Sequence, residues 1–302
     1  MITTKMLNAT DRWINLDADS LETQSELLDQ YELDDEILEY AIDPNERARI
    51  DFDRERDTFV IICNVPNRLK QERHYETVPM TFIVQPRRVI SISNEDNAYI
   101  LQRLYRELEL EGMMSRFEFV LSALYSITDE FFPLVEEINR EREQLSRVLR
   151  DKTNRENLLA LSDMETGMVY FVTASKQNAV LLEQLRTMLV FRKMTEDERE
   201  QLEDTLIEAR QLVDMTQLTS AILSQLSDTY NNVLNNSLND IIKVLTVVSI
   251  IMMVPTVFVD FFGMNVPLPL VGDPHAWKLI IMMMIAGCVG IGYLMKYLMS
   301  KK

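Results

Sequence analysis

Glycine, cysteine and histidine are all scarce in this 302-residue chain, with 7, 2 and 2 copies respectively. Cys63 and Cys288 are too few for a disulfide framework or a paired-cysteine zinc knuckle. No glycine precedes Gly112, and five of the seven (Gly263, Gly272, Gly287, Gly290, Gly292) lie in the last forty residues. Gly112 and Gly167 alone build neither a phosphate-cradling loop nor a dinucleotide fingerprint. A Ser-centred nucleophile elbow is also missing, and two histidines leave little material for acid–base catalysis. The composition points away from an enzyme.

Basic residues are the next shortage. The formal charge is −17, and it is uneven. Residues 243–302 hold five lysines (Lys243, Lys278, Lys296, Lys301, Lys302) against Asp260 and Asp273, a balance of +3. The preceding 242 residues carry 46 acidic and 26 basic side chains, a balance of −20. Such a body does not suit nucleic acid, whose phosphates need a basic face. Its natural counterions are cations. Length alone suggests about two modules of ~150 residues.

The polar start, Met1–Thr10, has no secretory apolar core. Residues 1–95 read as an α/β domain. Trp13–Leu16 is expected as a short strand, and Ser20–Asp29 and Asp34–Ile42 as acidic surface helices. Asp43-Pro44-Asn45 is a turn. Thr58–Val65, Val78–Val84 and Arg88–Ser93 are β-branched strand candidates, with Met80–Val84 and Val89–Ile92 forming a hairpin. From Tyr99 the pattern turns helical. Phe117–Arg150 and Asn157–Arg192 each run about 35 residues around a polar linker, which predicts an antiparallel pair within 96–195. The charges of the first (Glu136, Glu137, Arg140, Glu141, Arg142, Glu143, Arg147, Arg150) read as a solvated face. Thr195-Glu196-Asp197-Glu198 is a capping box opening a helix over 196–262. At about 1.5 Å per residue that helix is roughly 100 Å long, more than a single globular domain needs.

Two long apolar runs close the chain. Val244–Val259 is uncharged and, with its flanks (about 243–262), approaches the ~20 residues that cross a bilayer. Leu279–Met295 is a second uncharged run, inside 277–298 and bracketed by Lys278 and Lys296. The connecting segment, 263–276, has no Lys or Arg, whereas Lys243, Lys296, Lys301 and Lys302 lie on the other side. The positive-inside rule then predicts a two-span protein of the cell membrane, with both termini and the basic tail 299–302 cytoplasmic.

The first span holds a specific pattern. Alternating steps of four and three back from Asp260 give Thr256, Met253, Ser249, Thr246, Ile242, Asn239, Asn235, Asn232 and Asp228. This heptad register keeps one polar or modest-sized face on an axis. Hydroxyls and carboxylates in a bilayer should face protein or water. Hydrogen-bonded helix association would satisfy them. So would a hydrated, cation-lined axis, with Ile242 and Met253 closing it by dewetting. Two spans cannot enclose a pore, so a conduit requires several copies.

Phe262-Gly263-Met264-Asn265 follows the first span directly. With Pro255 and Thr256 inside that span, the lead-in Lys243-Val244-Leu245-Thr246 and a short loop before a second span, the chain resembles the CorA-type divalent-cation transporters. Trp13-Ile14-Asn15-Leu16, Asp43-Pro44-Asn45-Glu46-Arg47 and the strands Phe59–Val65 and Val78–Ser93 are similar to that family's N-terminal domain. The resemblance covers essentially the whole chain. It implies an α+β membrane protein: a cytosolic α/β domain, a helical hairpin, and a stalk helix running into the first span of a homopentameric funnel. It further implies uptake of Mg²⁺, with Co²⁺ or Ni²⁺ as possible passengers. Zinc transporters of the same frame are the nearest alternative, and a non-conducting scaffold is the next. Gly263, Met264 and Asn265 would form the selective outer mouth, Asn265 supplying carboxamide oxygens to hydrated Mg²⁺. Carried over residue by residue, the family's pore positions are Asn239, Ile242, Leu245, Met253 and Thr256. Asp204, with Glu203 or Glu208 as substitutes, matches a carboxylate that binds regulatory Mg²⁺ between protomers. Lys243, Lys296, Lys301 and Lys302 would form a basic collar, or snorkel to anionic headgroups. Two positions depart from the family pattern. No acid follows Asn265 closely, Asp273 being the loop's only one. Asp260 stands where a small neutral residue is usual, either as a displaced acidic ring or as a carboxyl kept protonated by its copies.

Overall fold

The computed structural model describes residues 2–18, 31–33, 35–43, 46–54, 56–151, 155–188, 194–264 and 275–300. The expected helix over Ser20–Asp29, most of the 263–276 loop and the tip of the Asp43-Pro44-Asn45 turn lie outside them. So do Lys301 and Lys302. The chain divides into two compact units, Met1–Asp228 and Thr229–Lys302.

The first unit is built on a sheet of β1 (Thr3–Met6), β2 (Arg12–Asp17), β3 (Arg49–Asp53), β4 (Thr58–Pro66), β5 (Thr77–Gln85) and β6 (Arg88–Ser93), in the order β1-β2-β6-β5-β4-β3. The β2–β6 pair is parallel and the other four are antiparallel. The expected hairpin forms, with Thr81 opposite Ile92 and Gln85 opposite Arg88. All nine residues of β4 are buried, as an unbroken β-branched run in a central strand requires. The edge strands β1 and β3 were not legible in the sequence. TTKM and RIDFD carry mostly exposed or half-exposed polar side chains, so neither shows the apolar run that marks a buried strand.

One sheet face buries Ile14, Leu16, Val60, Ile62, Ile83, Ile90 and Ile92, with Ile37 and Tyr40 of α1 (Asp35–Ile42) packed against it. On β2 the alternate positions carry Trp13 and Asn15. Trp13 Nε1 donates to Ser91 Oγ (2.9 Å), and Ser91 Oγ donates to Asn15 Oδ1 (2.7 Å), so the buried polar atoms are paired. Trp13 also stacks against Tyr105 of α2 (Ala98–Glu111) and Phe119 of α3 (Arg116–Asp151).

Helices α3 and α4 (Arg155–Thr187) form the expected pair and pack on β4. The charged stretch of α3 is only partly solvated, which corrects the sequence reading. Glu137 accepts from Tyr75 Oη (2.7 Å) and Glu141 pairs with Lys70, while Glu130, ahead of that stretch, is bound by Arg68 (2.7 Å). The β4–β5 connection supplies all three partners, and sequence distance hid them. Gly167 lets α4 approach that connection: a Cβ there would stand 3.1 Å from the Tyr75 backbone nitrogen.

Helix α5 runs without interruption from Glu196 to Phe262, the bounds read from the sequence. Its capping box is complete, with Thr195 N–H donating to Glu198 Oε2 (2.7 Å) and Glu198 N–H to Thr195 Oγ1 (3.2 Å). Within the first unit, Leu202, Leu206, Ala209, Leu212, Thr216, Thr219 and Leu223 are buried at three- and four-residue spacing. Thr216 Oγ1 meets Ser175 Oγ at 3.1 Å, and Asn139 Nδ2 donates to Thr219 Oγ1 (3.1 Å), so this face is docked on α3 and α4.

The second unit holds the rest of α5 and α6 (Ala276–Ser300). Both helices contain windows long and apolar enough to cross a membrane, of which 6% and 0% are buried.

Candidate functional site

Pro255 lies inside α5 without ending it, because the remaining backbone pairs hold the helix on both sides. The two helices of the second unit meet along Ile251 and Val254. A Cβ at Gly287 would stand 3.0 Å from Val254 Cγ1, and Cys288 Sγ donates to the Ile251 carbonyl at 3.7 Å. Small residues on α6 are what permit this approach.

The polar register lies elsewhere on the helix. At 3.6 residues per turn, the positions from Thr246 to Asp260 are centred roughly 150° around α5 from Ile251 and Val254. Asn232, Asn235, Asn239, Ile242, Thr246, Ser249, Met253, Thr256 and Asp260 are all exposed. Helix α6 thus leaves the striped face uncovered. Leu245 is exposed too, but sits to one flank, lining an apolar groove of about 470 Å³ with Ile241, Val244 and Val248.

The hydroxyls of the stripe are not bare. Thr246 donates to the Ile242 carbonyl (2.8 Å), Ser249 to Leu245 (2.8 Å) and Thr256 to Met252 (3.1 Å). Each back-bond uses the hydroxyl's donor and leaves its oxygen able to accept, the capacity that a cation's hydration water needs. It also makes these residues cheaper in a bilayer than the sequence reading supposed.

At the C-terminal end of α5, Gly263 N–H donates to the Val259 carbonyl (2.9 Å), closing the last turn. A Cβ at Gly263 would lie 2.9 Å from that same oxygen, so a side chain does not fit. Met264 is half exposed; Asn265 lies outside the described residues. Asp260 is exposed one turn before Gly263.

Of the other expected residues, Lys243 pairs with Asp240 of its own helix (2.8 Å) and Lys296 is exposed. In the first unit, Glu203 is held by Arg186 (3.4 Å), while Asp204 is exposed and Glu208 half-exposed. Among the described residues, no three His, Cys, Asp or Glu side chains converge as a metal group. Asp228, exposed at the end of this unit, has an acidic neighbour that the sequence did not flag. Glu165 of α4 accepts a hydrogen bond from Ser227, which lowers its pKa, but burial above all and the nearby Asp228 carboxylate outweigh this and raise it. Cys288 was also missed; the signal was Pro255, whose absent N–H must leave the Ile251 carbonyl open.

Residues 8–297 match the family model described as CorA-like Mg²⁺ transporter protein. The chain belongs to that family. It is a CorA-family divalent-cation transporter and a membrane protein, its two apolar helices fitting transmembrane spans. It is 25% identical over 257 residues to the cobalt/magnesium transport protein CorA of Methanocaldococcus jannaschii, covering 82% of this chain and 78% of that one. The complete structure of the M. jannaschii CorA magnesium transporter superposes with a TM-score of 0.77 at 22% identity, covering 99% of this chain and 98% of that one. Full-length CmaX shares the fold at TM-score 0.69 and 15% identity, over 96% of this chain and 88% of that one. The cytoplasmic domain of ZntB from Vibrio parahaemolyticus does so at 0.55 and 8%, over 76% and 90%. The CorA-family architecture is the one expected, an N-terminal α/β domain and a long helix with two apolar C-terminal helices.

Proposed function

We propose that five copies of this chain surround one axial pore that admits Mg²⁺, with Co²⁺ or Ni²⁺ as further substrates. The observation that carries this reading is the uncovered polar face of α5 from Asn232 to Asp260, on the side away from α6. Within the span the Asp260 carboxylate and the hydroxyl oxygens still lack partners in lipid, and with the amides that continue their face they are best met by water or other copies of the chain. Asp228 extends the register toward the cytosol. Ile242 and Met253, 59% and 63% exposed in the single chain, would stand as apolar rings in the assembly and close it by dewetting.

Gly263 and Met264 set the turn from which Asn265 presents its carboxamide to the incoming ion. Neutral oxygens that contact hydration water suit Mg²⁺, which loses that water reluctantly. Asp260 adds charge just below. Inward movement needs no nucleotide, because an interior at −100 mV favours a divalent ion by about 4.6 kcal/mol. The lysine distribution supports cytoplasmic termini. Cytosolic Mg²⁺ would act back on the acidic body at Asp204 and Glu208, Glu203 being engaged by Arg186.

Metal uptake in a strain lacking its own Mg²⁺ systems tests the reading. Wild type should restore growth at low Mg²⁺ and Asn265→Ala should not. Equal rescue by the variant would overturn the pore-mouth assignment, and a monomer or dimer by mass in detergent would overturn the shared axis. Restoration of Zn²⁺ uptake alone would reassign the substrate.

A further inference from the structure

A proline within a helix cannot donate to the carbonyl four residues earlier, and its ring crowds that oxygen. In α5 the oxygen belongs to Ile251, in the middle of an apolar span where water is absent. An unpaired carbonyl there is expensive. The Cys288 thiol stands 3.7 Å from it, within the reach of a weak S–H···O hydrogen bond. The neighbouring carbonyl, Met252, receives the Thr256 hydroxyl at 3.1 Å. Both carbonyls beside the proline thus have side-chain donors, one from α5 itself and one from α6.

The small residues around Cys288 give it this position. Gly287 approaches Val254 so closely that its Cβ would be 3.0 Å from a methyl carbon, and a Cβ at Gly292 would be 3.8 Å from Ile251 Cδ1. The thiol therefore meets the joint of the first span. Thr256, Asp260 and Gly263 all lie beyond that joint, toward the outer mouth.

We propose that Cys288 is a positioning residue for transport: its thiol occupies the carbonyl that Pro255 opens and fixes the outer third of the first span against the second. This rests on the conduction reading above only for its consequence, since the clasp itself can be measured without transport. Oxidation state and alkylation would act on it through the same bond, because an alkylated sulfur has no hydrogen to donate.

The test is a double-mutant cycle on the full-length protein, with Cys288→Ala, Cys288→Ser, Pro255→Ala and the Cys288→Ala/Pro255→Ala pair. Pro255→Ala supplies the missing N–H to Ile251, so it should make the thiol redundant. In detergent, the infrared S–H stretch assigned by Cys288→Ala should be that of a hydrogen-bonded thiol in wild type. The initial rate of metal uptake should fall about threefold in Cys288→Ala, the scale of one weak hydrogen bond. It should recover in Cys288→Ser, which keeps a donor, and be unaffected by Cys288→Ala when Pro255→Ala is present. An S–H band at the free-thiol position in wild type would overturn the clasp. An equal loss from Cys288→Ala in both backgrounds would reduce the residue to packing and overturn the positioning role. A wild type that moves no metal would defeat the conduction reading, and the infrared result would still decide the clasp.

Discussion

The sheet-and-helix unit and the two C-terminal helices bury apolar side chains to opposite extents. In the first, Trp13, Phe82, Phe119, Phe131 and Phe171 are almost wholly enclosed by their own chain. In the second, the apolar windows of α5 and α6 are 6% and 0% buried. The same helix α5 takes part in both. Its segment up to Asp228 docks a heptad of Leu, Ala and Thr on α3 and α4, whereas its C-terminal segment meets α6 on one narrow face. A solvent-exposed apolar surface of that size is untenable in water, so the second unit is completed from outside the single chain: by lipid on the apolar flanks and, on the function proposed above, by other copies on the polar stripe. The first unit is stabilised by what it contains, the second by what surrounds it.

That contrast can be broken at chosen residues. The largest effect is expected in the self-contained unit. Phe171→Ala removes a fully buried ring that stacks on Tyr75 and meets Phe131 edge-on, and should cost about 3–5 kcal/mol in thermal unfolding of the detergent-solubilised protein. A shift under 1 kcal/mol would mean the core is less filled than its burial implies. Gly287→Leu forces side-chain atoms into the space held by Val254 and should cost about 1–3 kcal/mol, seen as a lower melting temperature and weaker span packing. If it left both unchanged, the two spans would not depend on close approach. Thr195→Ala breaks one half of the capping box that starts α5, for about 1 kcal/mol, and should leave metal uptake per folded molecule unaltered.

The smallest change is diagnostic through its sign. Burial and the Asp228 carboxylate raise the pKa of Glu165, so its ionised form opposes folding. The contribution of this group is most favourable below the ordinary carboxylate range and is lost as pH rises through the raised value. Glu165→Gln should therefore raise the melting temperature at neutral pH, with the gain fading on acidification. Destabilisation at neutral pH would show that the Ser227 hydrogen bond outweighs the repulsion.

Much of this was legible in the chain because it depends on local chemistry. Thr195 and Glu198 announce the start of α5, since a capping box acts within one helical turn. The β-branched runs of β4, β5 and β6 advertise burial on both faces. What escaped was non-local or weakly patterned. The edge strands β1 and β3 carry mostly polar, exposed residues. The partners of Glu130, Glu137 and Glu141 come from the β4–β5 connection some sixty to seventy residues away. Cys288 looks like any small apolar residue until α6 places it beside Ile251.

Sequence alone determined that two spans follow an acidic body, that one long helix joins them, and that a polar register runs along its membrane half. Those are properties of periodicity and hydropathy, which a chain carries whatever it folds against. Only the tertiary structure decided which face of that helix α6 would cover, which carbonyl the thiol would reach and which acids would be paired. Such choices depend on distances between residues far apart in the chain, and local pattern does not encode them.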